Sequence, residues 1–109
     1  MRVIILPEVI DYFEDLMDIL YQKEYFGFPE SAEDYVIELV TEIKASLHIL
    51  PHRPAPEYFD RYGKDMEYAV FSRNKRTSWY AFFTSYEVGD DVVYLIRHVA
   101  NNHTVAQYL

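Results

Sequence analysis

The cationic and imidazole side chains that could hold or act on a phosphate gather in the second half of this 109-residue chain. Arg73, Lys75 and Arg76 put three cations into four positions, a spacing suited to holding a phosphate backbone and equally to a solvated hairpin turn. Arg97 and His98 are adjacent, and His103 and Tyr108 follow near the end. An imidazole has an ordinary pKa of about 6.5, so it can give and take protons at neutral pH. Cysteine is absent, which excludes thiolate nucleophiles, thiolate metal sites and disulfides. His48 and His52 flank the end of a predicted helix without the spacing of metal ligands, and no metal or cofactor is expected.

Such groups need elements to position them. Arg2 to Leu6 reads as a short strand, because Val3, Ile4 and Ile5 are β-branched and Pro7 stops the run. From Glu8, the residues Val9, Phe13, Leu16 and Leu20 recur at helical spacing, widened by Tyr12, Met17 and Ile19, which predicts an amphipathic helix to about Lys23. Glu24 to Glu30 is a breaker-rich connection. Ser31 and Asp34 resemble a capping box that starts a second helix, with Val36, Leu39, Val40, Ile43, Leu47 and Leu50 as its apolar stripe, ended by Pro51, Pro54 and Pro56. The two helices should form an antiparallel hairpin.

After a loop from His52 to about Asp65 the pattern turns to β. Met66–Ser72, Thr77–Thr84 and Val92–His98 read as a three-stranded meander, turned at residues 73–76 and around Gly89-Asp90-Asp91. On the middle strand Trp79, Ala81 and Phe83 point one way and Tyr80 and Phe82 the other, so both faces need cover. The helical hairpin can cover only one. His98 is expected on the face of Tyr94 and Ile96, with Arg97 opposite. The fold class is therefore α+β: an N-terminal strand, then an antiparallel helical hairpin packed on a mainly antiparallel sheet that the C-terminal meander completes. Residues 1–109 read as one domain.

Composition narrows the functional classes. Ten Lys and Arg against eighteen Asp and Glu leave a formal charge of -8, which excludes a uniformly basic nucleic-acid binder. All of that surplus lies in residues 1–50, where eleven carboxylates face three cations; residues 51–109 carry seven of each sign. No apolar run approaches the roughly 20 residues that span a bilayer. Acidic Glu8 and Asp11 also interrupt the N-terminus too early for a signal peptide, so a soluble, cytoplasmic protein with no membrane partner is expected.

With its elements in this order, the chain resembles the RelE/ParE family of toxins from bacterial type II toxin–antitoxin systems. The resemblance is carried by Arg2-Val3-Ile4-Ile5-Leu6-Pro7, the acidic helical hairpin, Tyr68-Ala69-Val70-Phe71 with its basic turn, Trp79-Tyr80-Ala81-Phe82-Phe83, and Tyr94-Leu95-Ile96-Arg97-His98 leading to Asn101-Asn102-His103. It implies a small toxin held inactive by a cognate antitoxin, acting either as a ribosome-dependent endonuclease on messenger RNA or as an inhibitor of DNA gyrase. Metal-free RNA cleavage needs a base for the 2′-hydroxyl proton, a cation for the charge on the phosphorane and an acid for the departing 5′-oxygen. By the resemblance, His103, Tyr108, Arg97 and His98 are the catalytic candidates, and Arg73, Lys75 and Arg76 the RNA-binding ones. Some cleaving relatives carry two lysines on the first meander strand where Ala69 and Phe71 stand here. That departure favours the alternatives: a gyrase inhibitor, or a catalytically degenerate module that only binds its antitoxin. Tyr80 and Phe82, if left uncovered by the helices, could stack bases, and a partner segment is expected over that sheet face.

Overall fold

The computed structural model describes residues 1–22, 29–73 and 75–109. Strand β1 (Arg2–Ile5) is followed by helices α1 (Pro7–Gln22) and α2 (Pro29–Ser46), then the two-residue strand β2 (Arg53–Pro54) and a 3-10 helix (Glu57–Arg61). Strands β3 (Glu67–Ser72), β4 (Ser78–Val88) and β5 (Asp91–Asn101) come next, and the chain ends in the single turn α3 (Asn102–Val105) and a 3-10 turn (Ala106–Tyr108). The five strands make one sheet in the order β1-β5-β4-β3-β2. β1 runs parallel to β5, and the other pairings are antiparallel. The α+β architecture is the one the sequence pattern implies.

The helical stripes do the packing expected of them. Val9, Phe13 and Leu16 of α1 are buried, as are Ala32, Val36, Leu39 and Ile43 of α2 and Leu47 just beyond it. All of these but Ala32 form the main core together with Trp79, Ala81 and Phe83 of β4 and Ile96 and Val99 of β5. Ile19, expected in the α1 stripe, is exposed. α2 begins at Pro29, so Ser31 lies within the helix and does not cap it. The connection expected at residues 24–30 falls largely outside the described residues.

The segment expected as a plain loop from His52 to Asp65 is built. Arg53 and Pro54 pair with Tyr68 and Glu67 as a fifth, edge strand, where the missing N–H of a proline is tolerated. The 3-10 helix after it puts Phe59, which is fully buried, against Phe82 with ring centroids 4.3 Å apart. Phe59, Met66, Phe82, Ala100 and Val105 form a second core, on the sheet face away from the helices. The chain covers the middle of this face with its own 3-10 helix and C-terminal turn, so Phe82 is not open to a partner, while Val70 and Tyr86 on the same face stay exposed. Phe82 is buried and takes no part in a stacking surface. Burying bare aromatic surface on both faces of β4 supplies the driving force for these irregular segments to fold back.

Two local features set the register. Gly89, at φ +63, opens a two-residue turn between the paired Val88 and Asp91, so β4 and β5 run further than their apolar cores suggest. A bulge then interrupts the β4–β5 ladder: Phe82 pairs with His98 but Phe83 pairs with Ile96, which leaves Arg97 as an extra residue. Because side chains alternate with period two, that one residue inverts the facing of the later strand positions. Tyr94, Ile96 and Val99 pack towards the helices. Arg97 reaches Thr84 and Tyr86, and His98 meets Tyr62 and Phe82, both on the opposite face. Arg97 lies opposite the face of Tyr94 and Ile96 as expected, but the expectation that His98 shares that face with Ile96 is overturned by the bulge.

Phe59→Ala should lower the unfolding free energy by about 3–5 kcal/mol, since it empties the centre of the second core. Urea denaturation measures this, and a loss under about 1 kcal/mol would contradict a packed layer on that face.

Candidate functional site

The bulge brings Arg97 and His98 beneath the 3-10 helix. The Tyr62 ring lies flat on the His98 imidazole, with centroids 3.8 Å apart and planes within 4°. Gly63 crosses the stem of Arg97 so closely that a Cβ there would stand 2.7 Å from Arg97 Cδ and 3.2 Å from Met66 Sδ. Arg97 Nε donates to Thr84 Oγ1 at 2.9 Å and Arg97 Nη2 to the Tyr86 hydroxyl at 3.0 Å, which fixes the guanidinium along the sheet. Burial under Tyr62 lowers the His98 pKa below its ordinary value, so the imidazole is neutral at pH 7 and can accept a proton.

The C-terminal turn completes the cluster. Tyr108 stacks on Tyr58 with centroids 3.6 Å apart and planes within 5°, and the Arg61 guanidinium carbon lies 3.8 Å from the centroid of the same Tyr58 ring. Arg61 Nε donates to the Tyr58 carbonyl oxygen at 3.0 Å. The hydrogen bond with Tyr58 raises the Tyr108 pKa, so the phenol keeps its proton at neutral pH. Of the candidates named from the sequence, Arg97, His98 and Tyr108 thus converge on the 3-10 helix. Tyr58, Arg61 and Tyr62 complete the arrangement and escape sequence reasoning, because their segment reads as a loop. Their signal is the aromatic and basic run Tyr58-Phe59-Asp60-Arg61-Tyr62, too dense in rings for an ordinary solvated loop.

The other candidates lie apart. Arg73 is neither a solvated turn residue nor available to phosphate: its Nη1 donates to Glu42 and its Nη2 to Glu38, each at 3.1 Å, and its guanidinium lies 5.0 Å from the Tyr35 ring centroid. Burial opposes its charge, yet the bonds to Glu38 and Glu42 outweigh that and raise its pKa. Among the described residues its Nε has no hydrogen-bond partner, and its two ion pairs join the β3–β4 turn to α2. Lys75 and Arg76 are exposed at that turn. Asn102 accepts from Ser78 N–H at 3.0 Å and donates to the Arg76 carbonyl at 3.1 Å, clamping the start of α3 to the same turn. His103, next in sequence, is exposed and gives its backbone N–H to the Asn101 side-chain oxygen that caps α3.

His52 has a packing role: Nε2–H donates to the Leu47 carbonyl at 2.7 Å, and the ring meets Phe83 edge-on at 4.7 Å. Among the described residues no group of three or more side chains is arranged to hold a metal ion, and no helix is long and apolar enough to cross a membrane. Comparison of the chain with family models, curated proteins and solved structures finds no match.

The depressed His98 pKa fixes a pH dependence of stability. The unfolded imidazole takes up a proton below about pH 6.5 while the folded one resists it, so the stabilisation is complete above 6.5 and is lost as the pH falls through the folded pKa. Urea midpoints at pH 7.5 and 5.5 should differ more in the wild type than in His98→Phe; equal differences would place the slope elsewhere. Gly63→Ala should cost about 1–3 kcal/mol through its clash with Arg97, measured in the same titration, and a neutral result would mean that the loop does not rest on that side chain.

Proposed function

We propose that this chain is a RelE/ParE-like toxin that cleaves ribosome-bound messenger RNA without a metal and is neutralised by a cognate antitoxin in the cytoplasm. The observation that carries the reading is the grouping of a neutral imidazole, two guanidinium groups and a protonated phenol on the sheet face opposite the acidic helices. The order of strand, helical hairpin and meander supports it. In this reading His98 takes the proton from the 2′-hydroxyl as its oxygen bonds to the adjacent phosphorus. Arg97 and Arg61 stabilise the charge that builds on the phosphorane, and Tyr108 protonates the 5′-oxygen as the P–O5′ bond breaks. The products are a 2′,3′-cyclic phosphate and a free 5′-hydroxyl.

One observation favours a second reading. Arg73 is spent on Glu38 and Glu42, which weakens the basic turn as an RNA-holding element. A gyrase inhibitor of the same family, or a module that only binds its antitoxin, would not need that element.

Expression without antitoxin should stop growth, and primer extension on messages from those cells should reveal new codon-positioned ends. His98→Gln should cut their yield by about 100-fold or more, as loss of a general base does. Growth arrest with intact messages, together with inhibited supercoiling by purified gyrase, would transfer the reading to gyrase. Harmless expression would leave the binding module.

A further inference from the structure

Two ring pairs at the 3-10 helix are cofacial: Tyr58 with Tyr108 at 3.6 Å and 5°, and Tyr62 with His98 at 3.8 Å and 4°. Among the described residues the Phe59–Phe82 pair is also stacked, but further apart at 4.3 Å and tilted by 23°, and other pairs are inclined, such as Tyr68 with Phe82 at 38° and His52 with Phe83 at 70°. Inclined or offset contacts are what electron-rich rings prefer for each other, because directly opposed π faces repel. A cofacial arrangement on a tyrosine suits a flat, electron-poor partner such as a guanidinium or a nucleobase. Tyr58 already has the Arg61 guanidinium over its ring, so Tyr108 is the less suited of its two neighbours.

Tyr108 is held by Tyr58 and does not belong to the second core. Val105 is the last buried residue of the chain, and every residue after it is exposed. Tyr108 is 37% exposed. Moving its ring aside disrupts one 3-10 turn and leaves the second core, which is anchored by Val105, intact.

We propose that Tyr58, backed by Arg61, is a stacking site for a base of single-stranded RNA, and that Tyr108 is its placeholder in the RNA-free protein. Entry of a base displaces the Tyr108 ring and frees its phenol for proton transfer, while Arg61 stands beside the incoming strand where a phosphate adjoins the base. This rests on the reading of the chain as an RNA-cleaving toxin and adds to it the residue that receives the substrate base. Tyr58 is thereby a binding residue, and Tyr108 has one position without RNA and another with it.

The test is fluorescence polarisation of a labelled 2′-O-methyl hexanucleotide, which binds as single-stranded RNA but cannot be cleaved through its 2′-oxygen. Tyr58→Leu should weaken binding about tenfold or more, and Tyr58→Phe should retain it, in line with the worth of one base–aromatic stack. Tyr108→Ala should tighten binding several-fold, because it removes the competitor; a purely structural role for the stack predicts no gain. Circular dichroism of each variant identifies any that fails to fold, and the Tyr108→Ala arm decides the matter if Tyr58→Leu is one of them. Failure of the wild type to bind, or unchanged or weaker binding by folded Tyr108→Ala, overturns the proposal. So does wild-type affinity in folded Tyr58→Leu, even where the wild type cleaves messages in cells and the functional reading stands. Stack-dependent binding by a wild type that leaves cellular messages intact retains the site and removes the nuclease.

Discussion

The strand β4 is buried on both faces, and the rest of the fold answers that constraint. Trp79, Ala81 and Phe83 on one side and Phe82 on the other are at most 2% exposed. A sheet with helices on one face leaves the opposite row of aromatic side chains in water, at a cost that grows with each ring. The chain meets this with two segments of little regular structure, the 3-10 helix at Glu57–Arg61 and the turn from Asn102 onward, which close over Phe82 from either side in sequence. Covering the hydrophobic face and assembling the candidate site are one event, because Phe59 sinks into the core between Tyr58 on one side and Arg61 and Tyr62 on the other.

The bulge in β5 is the second determinant. Without the extra residue at Arg97, His98 would continue the row of Tyr94 and Ile96 and face the helices. With it, Arg97 and His98 both look towards the 3-10 helix. Gly63 belongs to the same solution: the loop can pass over the Arg97 stem only where it carries no Cβ. An irregular strand and a close backbone approach thus occur together where Arg97 and His98 meet the 3-10 helix and the loop after it, a pattern in which local regularity yields to a positioned set of side chains.

Legibility in the sequence depends on which forces are local. The helices, the turn at Gly89 and the two-faced alternation of β4 are readable because each depends on periodicity or on one residue's backbone freedom. The facing of His98 is not, since a bulge shows only as a mismatch between two strands 15 or so residues apart and neither strand betrays it alone. Segment 52–65 is deceptive for a related reason: its prolines look like breakers, but Pro54 sits harmlessly on an edge strand and Pro56 immediately precedes the 3-10 helix. Arg73 looks like a solvated turn residue because its partners, Glu38 and Glu42, lie more than thirty residues away.

The pairing of Arg73 also changes the electrostatic argument about an RNA partner. Residues 51–109 hold seven cations and seven carboxylates, and one of those cations is turned back onto the acidic helices. The part of the molecule that carries the candidate site therefore has no surplus of positive charge with which to attract a polyanion. Arg61 and Lys64 are accompanied by Glu57, Asp60 and Asp65 in the same stretch of chain. For a surface of this kind, affinity for single-stranded RNA has to come from short-range terms: stacking on a ring, a guanidinium aimed at one phosphate, and the fit of a base into a place already shaped by another ring. Stacking and shape fit are little affected by salt, and a single guanidinium–phosphate contact adds only a shallow salt dependence, so in the proposed reading binding would depend on salt far less than binding by a basic groove.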